Sequence, residues 1–290
     1  WGVGKTMTVA GALYNSGFIT YLRTDSTRTD PGARNQARSF IESKWGTDYL
    51  GTPPGPGAGS AKDSKAQDAH EAIRPTNVEL ESVEDADQNR LYTLIRARFL
   101  ATQMSEAKYS TTSLTAKVKG FNRPLTSKVE WRVHGGWEAA FIATGRKQPL
   151  TERPSLDLMP GAEHALDNIE ENPVFIEDQT KPPARFRQPS LVAQMKKSGI
   201  GRPSTYASTI KKLLDRKYCE SGGAGLEPTT SGRTCWLEVA PHYTESEGGE
   251  VSFIFSPEFT ADMEGRLDAV ENGDRPAHEV WDGFVTHFQN

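Results

Sequence analysis

The spacing of apolar residues changes twice along this chain, and that constrains its fold more than any other feature. Apolar residues from Lys5 to Asn15 recur at helical spacing (Met7, Ala10, Leu13, Tyr14), with Gly17 as the stop. Asp30 and Pro31 read as N-cap and first residue of a second helix, whose inward face is Ala33, Ala37, Phe40, Ile41 and Trp45. "GTPPGPGAGS" is a loop by composition. "AKDSKAQDAHEAIRP" then reads as a helix ending before Pro75, and Asn89 to Ala107 as another, carrying Leu91, Leu94, Ile95, Phe99 and Leu100. Near Thr111 the period becomes two. "LTAKVKG" and "KVEWRVHG" read as strands, with Val129, Trp131 and Val133 on one face, and "WEAAFIATG" as a third strand. Thr151 to Thr180 is acidic and loop-rich, with a β character of its own.

Helices return at Ser190. "SLVAQMKKSG" is expected to have a serine N-cap and to stop at Gly199. Pro203 can open the next helix, running through Lys217 with Tyr206, Ile210, Leu213 and Leu214 inward. Two helices joined by a short glycine-containing turn make a helix-turn-helix arrangement. "RLDAVENGD" and "AHEVWDGFVTHF" suggest a closing helix pair. The fold class that follows is multidomain and mainly α, with a smaller β-rich domain between two helical blocks; 290 residues suffice for two or three domains.

Composition narrows the function classes. No apolar run is long enough to span a bilayer. Two cysteines, Cys219 and Cys235, cannot build a zinc site alone, and the six histidines form no i, i+3 or i+4 pair. A reducing, cytoplasmic setting is expected. The chain begins with Trp1 in what reads as the inside of a helix, so it is expected to be a piece of a longer protein. "WGVGKT" invites comparison with a phosphate loop, but the earlier glycine would fall before Trp1 and no strand precedes it in this sequence, so that reading is not expected.

A net charge of −4 argues against a nucleic-acid partner only until its distribution is read. Lys181 to Lys217 holds ten basic residues and one acid, Asp215, so this segment carries +9 and the remainder −13. Such asymmetry marks a surface for a polyanion.

Three stretches carry chemistry. In "GFITYLRTDS", Tyr21, Arg23 and Asp25 would share one face of an extended segment. A phenol is a poor nucleophile at neutral pH, but a nearby guanidinium favours the phenolate and stabilises negative charge at phosphorus. Tyr21 and Arg23 could therefore attack a phosphodiester together. His70, read as helical with Glu71 beside it and Arg74 one turn on, could donate to a phosphate. In "GIGRPSTYAS", Arg202, Ser204 and Thr205 sit at a helix start suited to a phosphate oxygen, and Arg216 lies among Lys211, Lys212 and Lys217.

"GFITYLRTDST", "QDAHEAIRPT", "LYTLIRARFLATQM" and "PPARFRQPSLVAQMKKSGIGRPSTYASTI" together resemble the type IA DNA topoisomerases, and the last resembles the bacterial topoisomerase I branch. The resemblance implies that Tyr21 is the nucleophile, that Arg23 contacts the scissile phosphate, and that His70 contacts DNA near the active site. It places Arg74, Arg202, Ser204, Thr205 and Arg216 among the groups that hold DNA. It implies relaxation of negatively supercoiled DNA through a 5′-phosphotyrosine intermediate, without ATP. It also implies Mg²⁺ held by the acidic cluster of an N-terminal Toprim domain, although no such cluster precedes Tyr21 here. By the same analogy, residues 1–109 are a helical domain bearing the nucleophile, 110–180 a β-rich hinge or arch segment, and 181–290 a helical base that grips DNA. The expected partners are single-stranded and negatively supercoiled DNA, with the protein a monomer, associated with the nucleoid and in no membrane. A module that only binds single strands is the alternative. A tyrosine recombinase would need further arginines and histidines around its nucleophile that the sequence lacks.

Overall fold

A computed structural model describes residues 1–24, 26–52, 71–120, 122–148, 159–163, 178–243 and 254–289. The chain divides into two compact units, one of residues 1–9 with 182–290 and one of residues 10–181. Among the described residues, no helix is long and apolar enough to cross a membrane.

In the unit of residues 10–181, α1 (Val3–Asn15) ends as its glycine dictates. Gly17 takes φ 74°. Its N–H donates to the Tyr14 carbonyl at 2.9 Å, and the Phe18 N–H reaches back to the Leu13 carbonyl at 2.9 Å. This left-handed stop satisfies two open carbonyls and turns the chain toward Ile19. Leu13, Ile19 and Tyr92 are fully buried together, with Phe18 packed on them. Helix α2 (Pro31–Trp45) begins where the sequence predicts, with the Asp30 carboxylate accepting from the Ala33 N–H and Pro31 opening the first turn. Ala33, Ala37 and Ile41 face a core shared with Ala97, Phe99 and Leu100 of α3 (Ala86–Ala101). That helix is shorter than expected, ending at Ala101 instead of Ala107.

Strands β1 (Lys108–Ala116) and β2 (Leu125–His134) form an antiparallel two-stranded ribbon. Val129 and Trp131 are half-buried, but Val133 is exposed, so the expected apolar face is incomplete. The expected third strand is a helix, α4 (Glu138–Ile142). Gly136, at φ 47°, turns the chain there, with its Cα so close to the Glu106 carbonyl that a Cβ would clash. The alanine-rich run beyond it then winds up. A short apolar run is compatible with either period, and here tertiary context chose the helix. The ribbon is fastened at its base by polar groups. Glu138 is buried, and its carboxylate accepts from the Tyr109 hydroxyl at 2.5 Å, pairs with Arg132 at 3.5 Å and with the Lys147 ammonium.

In the other unit, α5 (Gln188–Lys197) precedes α6 (Tyr206–Asp215). Ser190 is not the N-cap of α5 but lies in its first turn, where its hydroxyl accepts from the Arg187 N–H at 2.9 Å. Gly199 stops α5 at φ 72°, with the Ile200 N–H donating to the Met195 carbonyl. Pro203 falls in a turn, so α6 opens at Tyr206 and ends two residues early. Lys217 terminates it at φ 54°, with the Tyr218 N–H on the Leu213 carbonyl. A hairpin follows, β3 (Cys219–Gly222) with β4 (Gly225–Pro228), then the short helix α7 (Thr230–Thr234) and a π-helical turn at Cys235–Val239. Helices α8 (Pro257–Glu271) and α9 (Ala277–Gln289) close the chain as the expected pair.

Candidate functional site

Tyr21 is built outward from the α1 stop. The buried side chain of Ile19 anchors the segment, and its backbone bridges to Pro75. No strand continues from this bridge. The chain bends at Leu22 and Arg23, so Tyr21 and Arg23 do not stand on the face of a regular strand. The Ile19–Pro75 pair is a non-hydrogen-bonded one, closed by the Thr20 and Thr76 N–H groups on either side of it. Side-chain hydroxyls add to these bonds. Thr20 donates its N–H to the Arg74 carbonyl at 2.9 Å. Its hydroxyl accepts from the Arg74 N–H at 2.9 Å and donates to the Ala72 carbonyl at 2.9 Å. Thr76 mirrors it, with its N–H on the Phe18 carbonyl at 3.0 Å and its hydroxyl on the Gly17 carbonyl at 2.7 Å.

A third segment joins these two. The Ala72 N–H donates to the Arg28 carbonyl at 2.7 Å, and the Asp30 N–H to the Glu71 carboxylate at 3.2 Å. That carboxylate also receives Nε and Nη2 of Arg74, at 3.0 and 2.9 Å. The motif "LYTLIRARFL" supports the assembly from below. The buried Tyr92 hydroxyl lies 3.0 Å from the Asn77 carbonyl and 2.9 Å from that of Leu80, and Arg96 Nε donates to the Val78 carbonyl at 2.7 Å. Motifs some 50 positions apart in sequence thus form one platform.

Tyr21 stands on this platform 41% exposed, open to a large substrate. Arg23 is also exposed. The Tyr21 ring meets the ring of Tyr14, on the last turn of α1, edge to face. Asp25 and His70 lie outside the described residues. Glu71 to Arg74 is irregular backbone, not the expected last turn of a helix. The Arg74 guanidinium, 14% exposed, is committed to Glu71. Among the described residues, no three carboxylate, imidazole or thiolate groups gather to hold a cation, so Mg²⁺ has no fit there.

In the other unit, Arg202 bonds Asp268 at 2.6 Å and pairs with Glu264 at 3.5 Å, both on α8. Its hydrogen bond to Asp268 raises the pKa of a group already cationic. The Thr205 hydroxyl is turned back on the Arg202 N–H at 2.8 Å. Ser204 and Arg216 are exposed. So are the other basic residues of 181–217 apart from Arg202, and among the described residues only Lys211 of them has an acidic partner, Asp215. Sequence reasoning missed Thr20, Glu71 and Tyr14 as builders of the site. A threonine beside a tyrosine carries no local sign that its partner lies 54 residues away.

This geometry has known counterparts. Residues 1–282 match the model of a bacterial family described as DNA topoisomerase. The chain is 37% identical over 279 residues to DNA topoisomerase 1 of Haemophilus influenzae, covering 94% of this chain and 30% of that protein. It is 37% identical to DNA topoisomerase 1 of Thermotoga maritima, covering 100% and 44%, and 36% identical to that of Escherichia coli K12, covering 99% and 32%. The chain thus spans between about a third and under half of these relatives' lengths. The solved structure of full-length topoisomerase I from Thermotoga maritima superposes with a TM-score of 0.72 at 32% identity, over 100% of this chain and 46% of that one. The chain belongs to the bacterial DNA topoisomerase I family of type IA enzymes.

Proposed function

We propose that this chain supplies the nucleophile and part of the DNA grip of an enzyme that relaxes negatively supercoiled DNA. The observation that carries this reading is the exposed Tyr21 on a platform braced by three separate segments of the chain. The Tyr21 phenolic oxygen bonds to a backbone phosphorus as its proton leaves. The bond from phosphorus to the 3′ oxygen breaks, and that oxygen takes up a proton. A 5′-phosphotyrosyl ester and a free 3′-hydroxyl result. Arg23 offsets charge developing on the phosphoryl oxygens, and His70 contacts the same strand. The ester conserves the bond energy, so attack by the 3′-hydroxyl reseals the strand without ATP after another strand has passed. Underwound duplex is the substrate because it exposes single strands most readily.

The exposed cations of 181–217 hold the single strand by its phosphates, which makes binding salt-dependent and largely independent of sequence. Ser204 and Arg216 belong to this surface, with Thr205 exposed beside them and Arg202 held by α8; Arg74 holds DNA near Tyr21. Mg²⁺ would be held by the acidic cluster of the Toprim domain that the family resemblance implies, and not by the described residues of this chain. The protein acts as a monomer.

The test is an oligonucleotide labelled on the 5′-phosphate side of the cut, incubated with the complete enzyme carrying this chain and then denatured in detergent. Label retained on protein, and lost in Tyr21→Phe, supports the reading. Retention in Tyr21→Phe overturns it, and salt-sensitive binding with no retained label marks a binding module only.

A further inference from the structure

We propose that Thr20 is a positioning residue for the nucleophile, setting the Tyr21 hydroxyl through its own; this rests on Tyr21 being the nucleophile. Ile19 is the last residue of its segment in a backbone bridge. Thr20 follows it. It makes three hydrogen bonds to residues 72–74, each 2.9 Å long, two of them through the hydroxyl used as both donor and acceptor. The segment receiving them is itself immobilised by Arg28, by the Asp30 N–H at the start of α2, and by the Glu71–Arg74 pair. The next residue is Tyr21, followed by a bend. Thr20 therefore ties the chain to that frame at the residue directly before the tyrosine. A hydroxyl that satisfies both a half-buried donor and a half-buried acceptor is hard to replace, because its loss leaves two groups without that partner.

Reaction rate responds steeply to the placement of an attacking atom, and a shift of about 1 Å can cost about 100-fold. Thr20→Val keeps the shape and removes both hydroxyl bonds, whereas Thr20→Ser keeps them. In the complete enzyme, the single-turnover cleavage rate of an oligonucleotide is expected to fall about 10- to 100-fold in T20V while its Kd stays within about two-fold. T20S is expected to cleave within about three-fold of the unaltered protein. Hydrogen exchange at the Arg74 amide should speed up in T20V and not in T20S. Cleavage at full rate in T20V, with the Arg74 amide exposed, overturns the proposal, as does an equal loss in T20V and T20S. If T20V does not fold, T20S decides: rate and protection both kept support the role, and rate lost with protection kept overturns it. An adduct persisting in Tyr21→Phe removes the nucleophile reading instead, and the exchange measurement still reports the brace.

Discussion

The rings of Tyr14 and Tyr21 meet edge to face, with centroids 5.3 Å apart and planes at 69°. Tyr14 holds its place through the α1 stop at Gly17, and Tyr21 through the platform. Such contacts contribute about 0.5–1.5 kcal/mol beyond burial. Tyr14→Ala should therefore slow cleavage by about 2- to 12-fold, with Tyr14→Phe close to unaltered. Single-turnover rates and oligonucleotide affinity, measured side by side, check this, because a contact that only orients the ring leaves affinity unchanged.

Lys217 occupies the position where α1 and α5 have glycine, yet carries a side chain at φ 54°. Lys217→Gly should raise stability by about 0.5–1 kcal/mol, and Lys217→Val should lower it, since a branched side chain is least tolerated there. Thermal melts give the order Gly above Lys above Val. The glycine variant should also bind single strands more weakly for want of one charge.

Glu138 ties the β1–β2 ribbon to α4. Burial raises its pKa, but hydrogen bonds from Lys147 and Tyr109, with the charge of Lys147 and the Arg132 contact, outweigh this and hold it below the ordinary range. A depressed carboxyl contributes stability above its unfolded pKa of about 4.3 and loses it as pH falls through the lower folded value. Glu138→Gln should thus cost about 2–3 kcal/mol at neutral pH. That difference should shrink only below about pH 4.3. Denaturant titrations of both proteins from neutral to acid pH test the sign.

Arg202 and Arg216 should behave differently although both lie in the basic tract. The Arg202 charge is matched by Asp268 and Glu264, whereas Arg216 is exposed. Arg216→Ala should reduce the salt dependence of single-strand binding by about 0.7 in the log–log slope, with no change in melting. Arg202→Ala should lower stability by about 1 kcal/mol and leave the slope nearly intact. Binding isotherms across a salt series, with melts, separate the two.

These contrasts show what could be seen in the residues alone. Asp30–Pro31, Gly17 and Gly199 announced helix ends because a cap and a left-handed stop are local devices with local signatures. Lys217 performs the same stop without the signature, so α6 was expected to run through it. "WEAAFIATG" carried no period long enough to choose between strand and helix, and the turn at Gly136 decided. Tyr21 and Arg23 stood out by residue type and spacing, and the structure leaves both exposed. The commitment of Arg74 to Glu71 and of Arg202 to α8 did not stand out, because a guanidinium's partner is set by tertiary packing.

The most direct measurement is to digest the protein trapped on a cleaved oligonucleotide and locate the nucleotide by tandem mass spectrometry. The account predicts a single modified peptide, with a 5′-phosphoryl nucleotide esterified to Tyr21. A nucleotide on any other residue, or one joined through its 3′ phosphate, would contradict it.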